Sequence, residues 1–314
     1  PVADGKKPNR RSAGWSPLIS SAPLISSARL ISTARTRSSD DGRDVGDEHD
    51  ERRGSRVTAI HAPELVSREL LELTRSLGRP ERDLVILAEG NTSELLDDGR
   101  VVVKASGSNM ATATTQDFVT VDIEPFVDLL GRENSTQDEL TAALDAGMVD
   151  GHRRRGSIEA LVHIAVQAVS PVRFVGHTHP TAILGLMASV RAQEAYDYWV
   201  YSDEAVVIGR PLYVPYASPG VGLGRVFHRS LLGYVDRYGQ LPQLVLLGNH
   251  GIVALSPSAA GVDGISAMAV KGAQVRATAY AVGGVSPIPT ESVSEFFARE
   301  DISERRGNLA NGQY

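Results

Sequence analysis

The sequence predicts an α/β protein in which a mainly antiparallel sheet is flanked by helices. Three observations carry this reading. Apolar runs of strand length and segments of helical periodicity alternate, but without the steady strand–helix–strand rhythm of a parallel sheet. Residues 241–255 hold two apolar runs around Gly248-Asn249-His250-Gly251, the pattern of strand, turn, strand. Residues 157–169 and 266–282 read as long helices able to cover such a sheet.

Taken in order, residues 63–77 set Leu65, Leu70, Leu71 and Leu73 at helical spacing and predict the first helix. Residues 84–88 read as a strand, and Gly90-Asn91-Thr92-Ser93 as the turn after it. Residues 101–104 predict a second strand closed by Ala105-Ser106-Gly107, and residues 118–123 a third, followed by a short helix at 126–130. Residues 131–140 give only turn and helix signals. Ser157 is the expected N-cap of the helix over 157–169, whose apolar stripe is Leu161, Ile164, Ala165 and Ala168. A buried strand at 172–176 and a helix at 181–190 come next, then strands at 205–208 and 212–215 and a helix at 226–238.

Residues 1–55 are expected to form a disordered arm, with a single domain over 56–314. Ser, Arg, Pro and Gly dominate the arm, and up to residue 38 it has seven Lys or Arg against the single acid Asp4. That basic, Ser-rich start leaves organelle targeting open beside the cytoplasmic location otherwise expected. The formal charge of −6 gives no electrostatic reason to expect nucleic acid, and no apolar run approaches the length needed to span a membrane. With no cysteine in the chain, thiolate nucleophiles, disulfides and Cys-held zinc are excluded. Any transition metal has to be held by imidazole and carboxylate.

His177-Thr178-His179 ends the strand at 172–176. Side chains on a strand alternate, so both imidazoles face one side, and Pro180 stops the ladder there. The plainer reading is two polar residues at a strand-to-helix turn. His250, between two glycines at the end of another buried strand, offers the third ligand that a catalytic zinc site requires. His163 follows Glu159 by four residues and shares its helix face, which an ordinary helix pair explains nearly as well; His152 and His228 are weaker candidates. Glu159 stands at the start of the helix before the His-Thr-His strand, where a carboxylate either caps the helix or acts as general base beside a metal.

In this order, Gly90-Asn91-Thr92-Ser93, Ala105-Ser106-Gly107, Ser157-Ile158-Glu159, His177-Thr178-His179-Pro180 and Gly248-Asn249-His250-Gly251 resemble the class II aldolase/adducin N-terminal family over residues 60–290. The Gly-Asn-Thr-Ser and Ser-Ile-Glu forms are most similar to the aldolase part of rhamnulose-1-phosphate aldolase/dehydrogenases, whose dehydrogenase part has no counterpart here. The resemblance implies a three-layer α/β/α fold and a divalent metal, zinc or else manganese or cobalt, on His177, His179 and His250, with Glu159 as acid/base. It also implies a homotetramer with active sites near subunit interfaces. The expected substrate is a small sugar or sugar phosphate, held by Asn91, Thr92, Ser106, Gly107 and Ser157.

Ile158 and Lys104-Ala105 depart from the hydroxyl residue and the Thr-Pro common in simple aldolases, and Lys104 either adds charge to an anion site or points to solvent at the strand edge. Tyr213, Tyr216 and Tyr280 are candidates for protonating the leaving fragment. The expected reaction is retro-aldol cleavage. Decarboxylation, dehydration and epimerisation are alternatives on the same scaffold, and an adducin-like interaction domain is the non-catalytic one.

Overall fold

Backbone pairing in the computed structural model, which describes residues 58–313, builds one large sheet from strands distant in sequence. In chain order the first half contains β1 (Ala59–Ile60), α1 (Arg68–Leu77), β2 (Asn91–Leu95), β3 (Val101–Lys104), β4 (Phe118–Val121), α2 (Glu124–Gly131) and α3 (Gln137–Ala143). The hairpin β5 (Asp145–Val149) and β6 (His152–Arg155) follows, then α4 (Ala160–Val169), β7 (Phe174–Thr178), α5 (Thr181–Met187), α6 (Ser202–Ile208) and β8 (Leu212–Val214). The remainder is α7 (Val221–Tyr238), β9 (Leu244–Leu247), β10 (Gly251–Ser256), α8 (Ala259–Ala281), α9 (Thr290–Phe297) and α10 (Glu300–Ala310).

The eight-stranded sheet has the order β1-β4-β3-β2-β7-β10-β9-β8. Every pair in it is antiparallel except β8 with β9. Strands in the middle of such a sheet are covered on both faces, which is why Val101-Val102-Val103 and Leu244–Leu247 are apolar at consecutive positions rather than alternating. One face carries Val101, Val103, Val175, Val245 and Val253 against α2, α3, α4 and α7. The other carries Val102, Phe174, Leu244, Leu246, Ile252 and Ala254 against α1, α5 and α8. The expected three-layer fold with a mainly antiparallel sheet is the one observed.

Three expectations are corrected, and one hairpin is added. Residues 84–88 form no strand: Leu84 and Val85 are buried, but Ile86 and Leu87 are 62 % and 81 % exposed. Leu87 takes φ +53°, a left-handed conformation that interrupts extended backbone, and the Glu89 carboxylate accepts the Ile86 N–H at 3.0 Å. Asn91-Thr92-Ser93 is strand rather than turn, because Asn91 and Ser93 fall opposite His177 and Val175 in the antiparallel register with β7. Residues 205–208 belong to α6, not to a strand. Short apolar runs are ambiguous in this way, and here Asp203 and Glu204 in the first turn favour the helix. The β5–β6 hairpin was unforeseen, although Asp150-Gly151, both with positive φ, is the residue pair that a tight hairpin turn demands. The expected arm at 1–55 lies outside the described residues.

On the second face α8 is tied down by a buried ion pair. Arg276 and Glu204 are both buried; the guanidinium meets the Glu204 carboxylate and donates to the carbonyls of Ala195 at 2.6 Å and Tyr198 at 2.8 Å. It also lies 3.9 Å from the centre of the Tyr196 ring. Its donors are thereby spent on the segment between α5 and α6, on Glu204 of α6 and on the Gly272 carbonyl of α8 itself. Glu204→Ala leaves this charge buried without its counter-ion, and is expected to cost about 3–5 kcal/mol in urea unfolding.

Candidate metal centre

Three chain segments meet at one end of the sheet, on the face covered by α4. The end of β7 supplies His177 and the adjoining His179, the turn between β9 and β10 supplies His250, and the N-cap position of α4 supplies Glu159. One ligand atom from each of the four lies within 4.8 Å of the others, a grouping able to hold a metal ion. The Nε2 atoms of His177 and His179 are 2.9 Å apart. His250 Nε2 is 2.8 Å from Glu159 Oε1, and His177 Nε2 is 3.2 Å from Glu159 Oε2. Among the described residues the group takes in none of His152, His163 and His228.

Glu159 does not cap α4 with its side chain, so of its two anticipated roles the local one is not taken up. Its carboxylate turns inward to the imidazoles. Burial alone would raise its pKa, but the charge and hydrogen bonds of His177 and His250 hold it well below the usual carboxylate range. Burial opposes a proton on His177, yet the neighbouring carboxylate outweighs it and raises that pKa. His179 goes the other way: burial and then the charge of His177 push it down to about 3.

The donor chemistry fits a cation. His177 Nδ1 sits 2.8 Å from the Ile252 carbonyl, an acceptor that fixes the proton on Nδ1 and leaves the Nε2 lone pair facing the centre. The facing nitrogens and the carboxylate are drawn together either by a proton on one of them or by a cation between them. A tetrahedral ion with bonds of about 2.0–2.1 Å would set neighbouring nitrogens about 3.4 Å apart, so the rings need to spread only slightly. His250 Nδ1 is buried without a hydrogen-bond partner, a nitrogen with spare capacity at the same place. The all-nitrogen-and-oxygen set suits zinc, cobalt or manganese.

Gly251 explains part of this closeness. A Cβ there would lie 2.3 Å from the Thr178 carbonyl oxygen and 2.9 Å from His179 Cδ2, so only glycine lets β10 approach the end of β7.

The other anticipated residues are distributed unevenly. Asn91, only 1 % exposed, donates from Nδ2 to Glu159 Oε2 at 3.0 Å and to Ser157 Oγ at 3.1 Å. Ser157 is not the N-cap of α4, which starts later, and its hydroxyl lies between Asn91 and the Glu159 N–H. Ser106 and Gly107 stand exposed in the turn after β3. Thr92 is on the opposite face: strand alternation sends it to Thr74 of α1, 2.5 Å away, and not to the metal group.

Lys104 neither reaches solvent nor sits at an edge. It is buried, donates to the carbonyls of Ala105 and Ser108, and burial pushes its pKa down to about 8. The place of the usual hydroxyl is apolar here, since Ile158 packs on the core. Tyr213 brings its hydroxyl to 2.9 Å from where a Cβ on Gly248 would stand, beside the His250 turn. Tyr216 is exposed, and the Tyr280 hydroxyl is 2.5 Å from that of Tyr198.

One neighbour was missed from sequence and another was given the wrong partner. Glu89 places a carboxylate oxygen 3.7 Å from His179 Nδ1. His163, fully buried, contacts Asn91 and Ser93 rather than pairing with Glu159. The available signal was the alternation of Asn91 and Ser93, which share the His177 face once 91–95 is taken as strand.

The chain belongs to the class II aldolase and adducin N-terminal domain family, whose model matches residues 68–262. It is 28 % identical over 151 residues to the uncharacterized oxidoreductase YuxG of Bacillus subtilis (strain 168), a match covering 48 % of this chain and 20 % of that protein. The matched region thus spans about a fifth of this relative's length. Its fold is similar to the N-terminal class II aldolase domain of a conserved protein from Thermoplasma acidophilum, with TM-score 0.51, 22 % identity, and coverage of 66 % of this chain and 91 % of that one. It is also similar to the L-fuculose 1-phosphate aldolase from Glaciozyma antarctica PI12, with TM-score 0.51, 14 % identity, and coverage of 77 % and 88 %. Among the described residues, no helix is long and apolar enough to cross a membrane.

Two measurements test this geometry. Gly251→Ala is expected to displace His179, weakening zinc binding in a chelator competition and costing about 1–3 kcal/mol of stability. Burial and the charge of His177 push His163 down to about 3 from an ordinary value of 6.5. Its neutral form is therefore favoured by folding, the unfolded chain takes up the proton first, and stability falls as pH drops below about 6.5 towards 3. Urea unfolding of the metal-free protein across pH 7 to 4 should show this loss, with a slope shallower by up to about one proton in His163→Gln.

Proposed function

We propose that the protein is a divalent-metal-dependent lyase that cleaves a carbon–carbon bond in a small sugar or sugar phosphate by retro-aldol chemistry. The observation that carries this reading is the convergence of an ionised carboxylate, Glu159, with His177, His179 and His250. The three imidazoles would hold the ion, with zinc first among the candidates. When bound, the metal would polarise the substrate carbonyl and offset the negative charge that grows on its oxygens as the bond breaks.

This chain's own groups would do the rest. Retro-aldol cleavage removes a proton from a hydroxyl of one fragment and returns a proton to carbon on the other. Glu159 is a buried carboxylate whose Oε2 accepts from Asn91 Nδ2, so it is oriented to move a proton at a fixed position. Ser106 and Gly107, in the turn beyond β3, together with Ser157, would hold the anionic end of the substrate, with the buried ammonium of Lys104 beneath that turn. Tyr213 is the candidate for the second proton, since its hydroxyl lies against the His250 turn.

The Gly-Asn-Thr-Ser and Ser-Ile-Glu forms favour kinship with the aldolase part of rhamnulose-1-phosphate aldolase/dehydrogenases. The partial match to a longer protein named as an oxidoreductase accords with it. In the same reading residues 56–314 are the aldolase-like domain, residues 1–55 an arm, and the working form a cytoplasmic homotetramer.

The metal donors and the carboxylate favour this over a non-catalytic interaction domain, which has no use for the full set. The purified protein is expected to bind a divalent ion and to release an aldehyde, with a ketone or ketone phosphate, in a screen of ketoses and ketose phosphates. A protein that takes up neither zinc nor manganese would falsify the enzyme reading. Glu159→Gln should abolish turnover with metal content at saturating zinc unchanged; loss of metal there would instead assign Glu159 to coordination.

A further inference from the structure

Beneath Glu159 lies a polar chain that the proposed reaction does not use directly. Asn91 and Ser93 are two residues apart on β2, about 6.8 Å along the strand, and point to the same face. Glu159 and His163 are four residues apart at the start of α4, about 6 Å along the helix, and also share a face. The two spacings nearly match, so the residues interleave as Glu159, Asn91, His163, Ser93. Ser93 Oγ is 2.7 Å from His163 Nδ1, His163 Nε2 contacts Asn91 Oδ1, and Asn91 Nδ2 is 3.0 Å from Glu159 Oε2. Asn91, Ser93 and His163 are all buried.

Only one direction of donation satisfies every member. Asn91 presents its NH2 to Glu159 and Ser157 and its Oδ1 to the other side. Oδ1 then requires an N–H on His163 Nε2, which leaves Nδ1 as an acceptor for the Ser93 hydroxyl. With the opposite tautomer Asn91 would turn its oxygen towards a carboxylate 3.0 Å away, two acceptors facing each other in a buried place. Charging the imidazole would only reverse the bond to Ser93, whose oxygen can accept, and burial keeps His163 neutral.

We infer that His163, set by Ser93, is a positioning residue that locks the Asn91 amide as a donor to Glu159 and so fixes that carboxylate against the metal-binding imidazoles. This rests on the metal-centre reading above and adds a device to it. It also gives Asn91 a different task from holding a substrate anion, since its amide is already spent on Glu159 and Ser157.

The test combines zinc affinity, from chelator competition, with imidazole nitrogen NMR of the metal-free full-length protein. The wild type should show His163 protonated on Nε2 and bare on Nδ1. His163→Phe, which keeps the volume and removes the donor, is expected to weaken zinc binding about 10–100-fold. Ser93→Ala should weaken it less and mix the His163 tautomers, and Ser93→Thr, which restores the hydroxyl, should restore both readings. The Ser93 pair and the wild-type spectrum decide the matter even where His163→Phe does not fold. A wild-type proton on Nδ1, or zinc affinity and tautomer unmoved in Ser93→Ala, overturns the inference and leaves the metal centre standing. A wild-type protein without affinity for zinc or manganese overturns both.

Discussion

The register of β7 between β2 and β10 is the constraint on which the rest of the molecule depends. Asn91 and Val253 stand on either side of His177 in that register, and the Ile252 carbonyl receives its ring N–H. A slip of one residue would turn the imidazole and its neighbours to the face covered by α1 and α8. The apolar load on both faces makes such a slip costly: Phe174 and Val175 point to opposite cores and both are buried. The alignment of the polar centre is thus enforced by burial of the residues around it, not by the polar contacts themselves.

The two faces divide the work. The α4 face combines a large apolar core with Glu159, His163, Asn91, Ser93 and His177, each with a partner. The opposite face holds its own buried polar groups, Thr74 with Thr92 and Arg276 with Glu204, and these join helices to the sheet or to one another. β2 serves both, since alternation gives Asn91 and Ser93 to one side and Thr92 to the other. A single strand thereby couples the position of α1 to that of the metal centre.

The sequence made the centre legible where chemistry and periodicity coincide. His177 and His179 declare themselves through the two-residue strand repeat, and His250 through the flanking glycines. The long helices and the strands at 101–104, 244–247 and 251–256 were readable for the same reason: each shows a pattern that only one backbone geometry satisfies. Where the pattern was short, it misled. The apolar runs at 84–88 and 205–208 fit a strand as well as anything else, and what decided them lay outside the apolar pattern: a left-handed Leu87 at one, Asp203 and the Arg276-paired Glu204 at the other. The role of His163 was hidden differently. Its partners are on β2, seventy and more residues earlier, and spacing within α4 pointed to Glu159 instead.

The family match stops at Val262, the fourth residue of α8, yet α8 continues to Ala281. Ile265, Ala269 and Ala273 of the unmatched part are buried on the second face, and Arg276 secures the segment before α6. The match thus takes in α1 and α5 of the second face but only the first turn of α8. The unit that relatives share and the unit that folds have different ends. A fragment cut at the shared boundary would keep every metal-site residue named above and lose most of α8 from the second face.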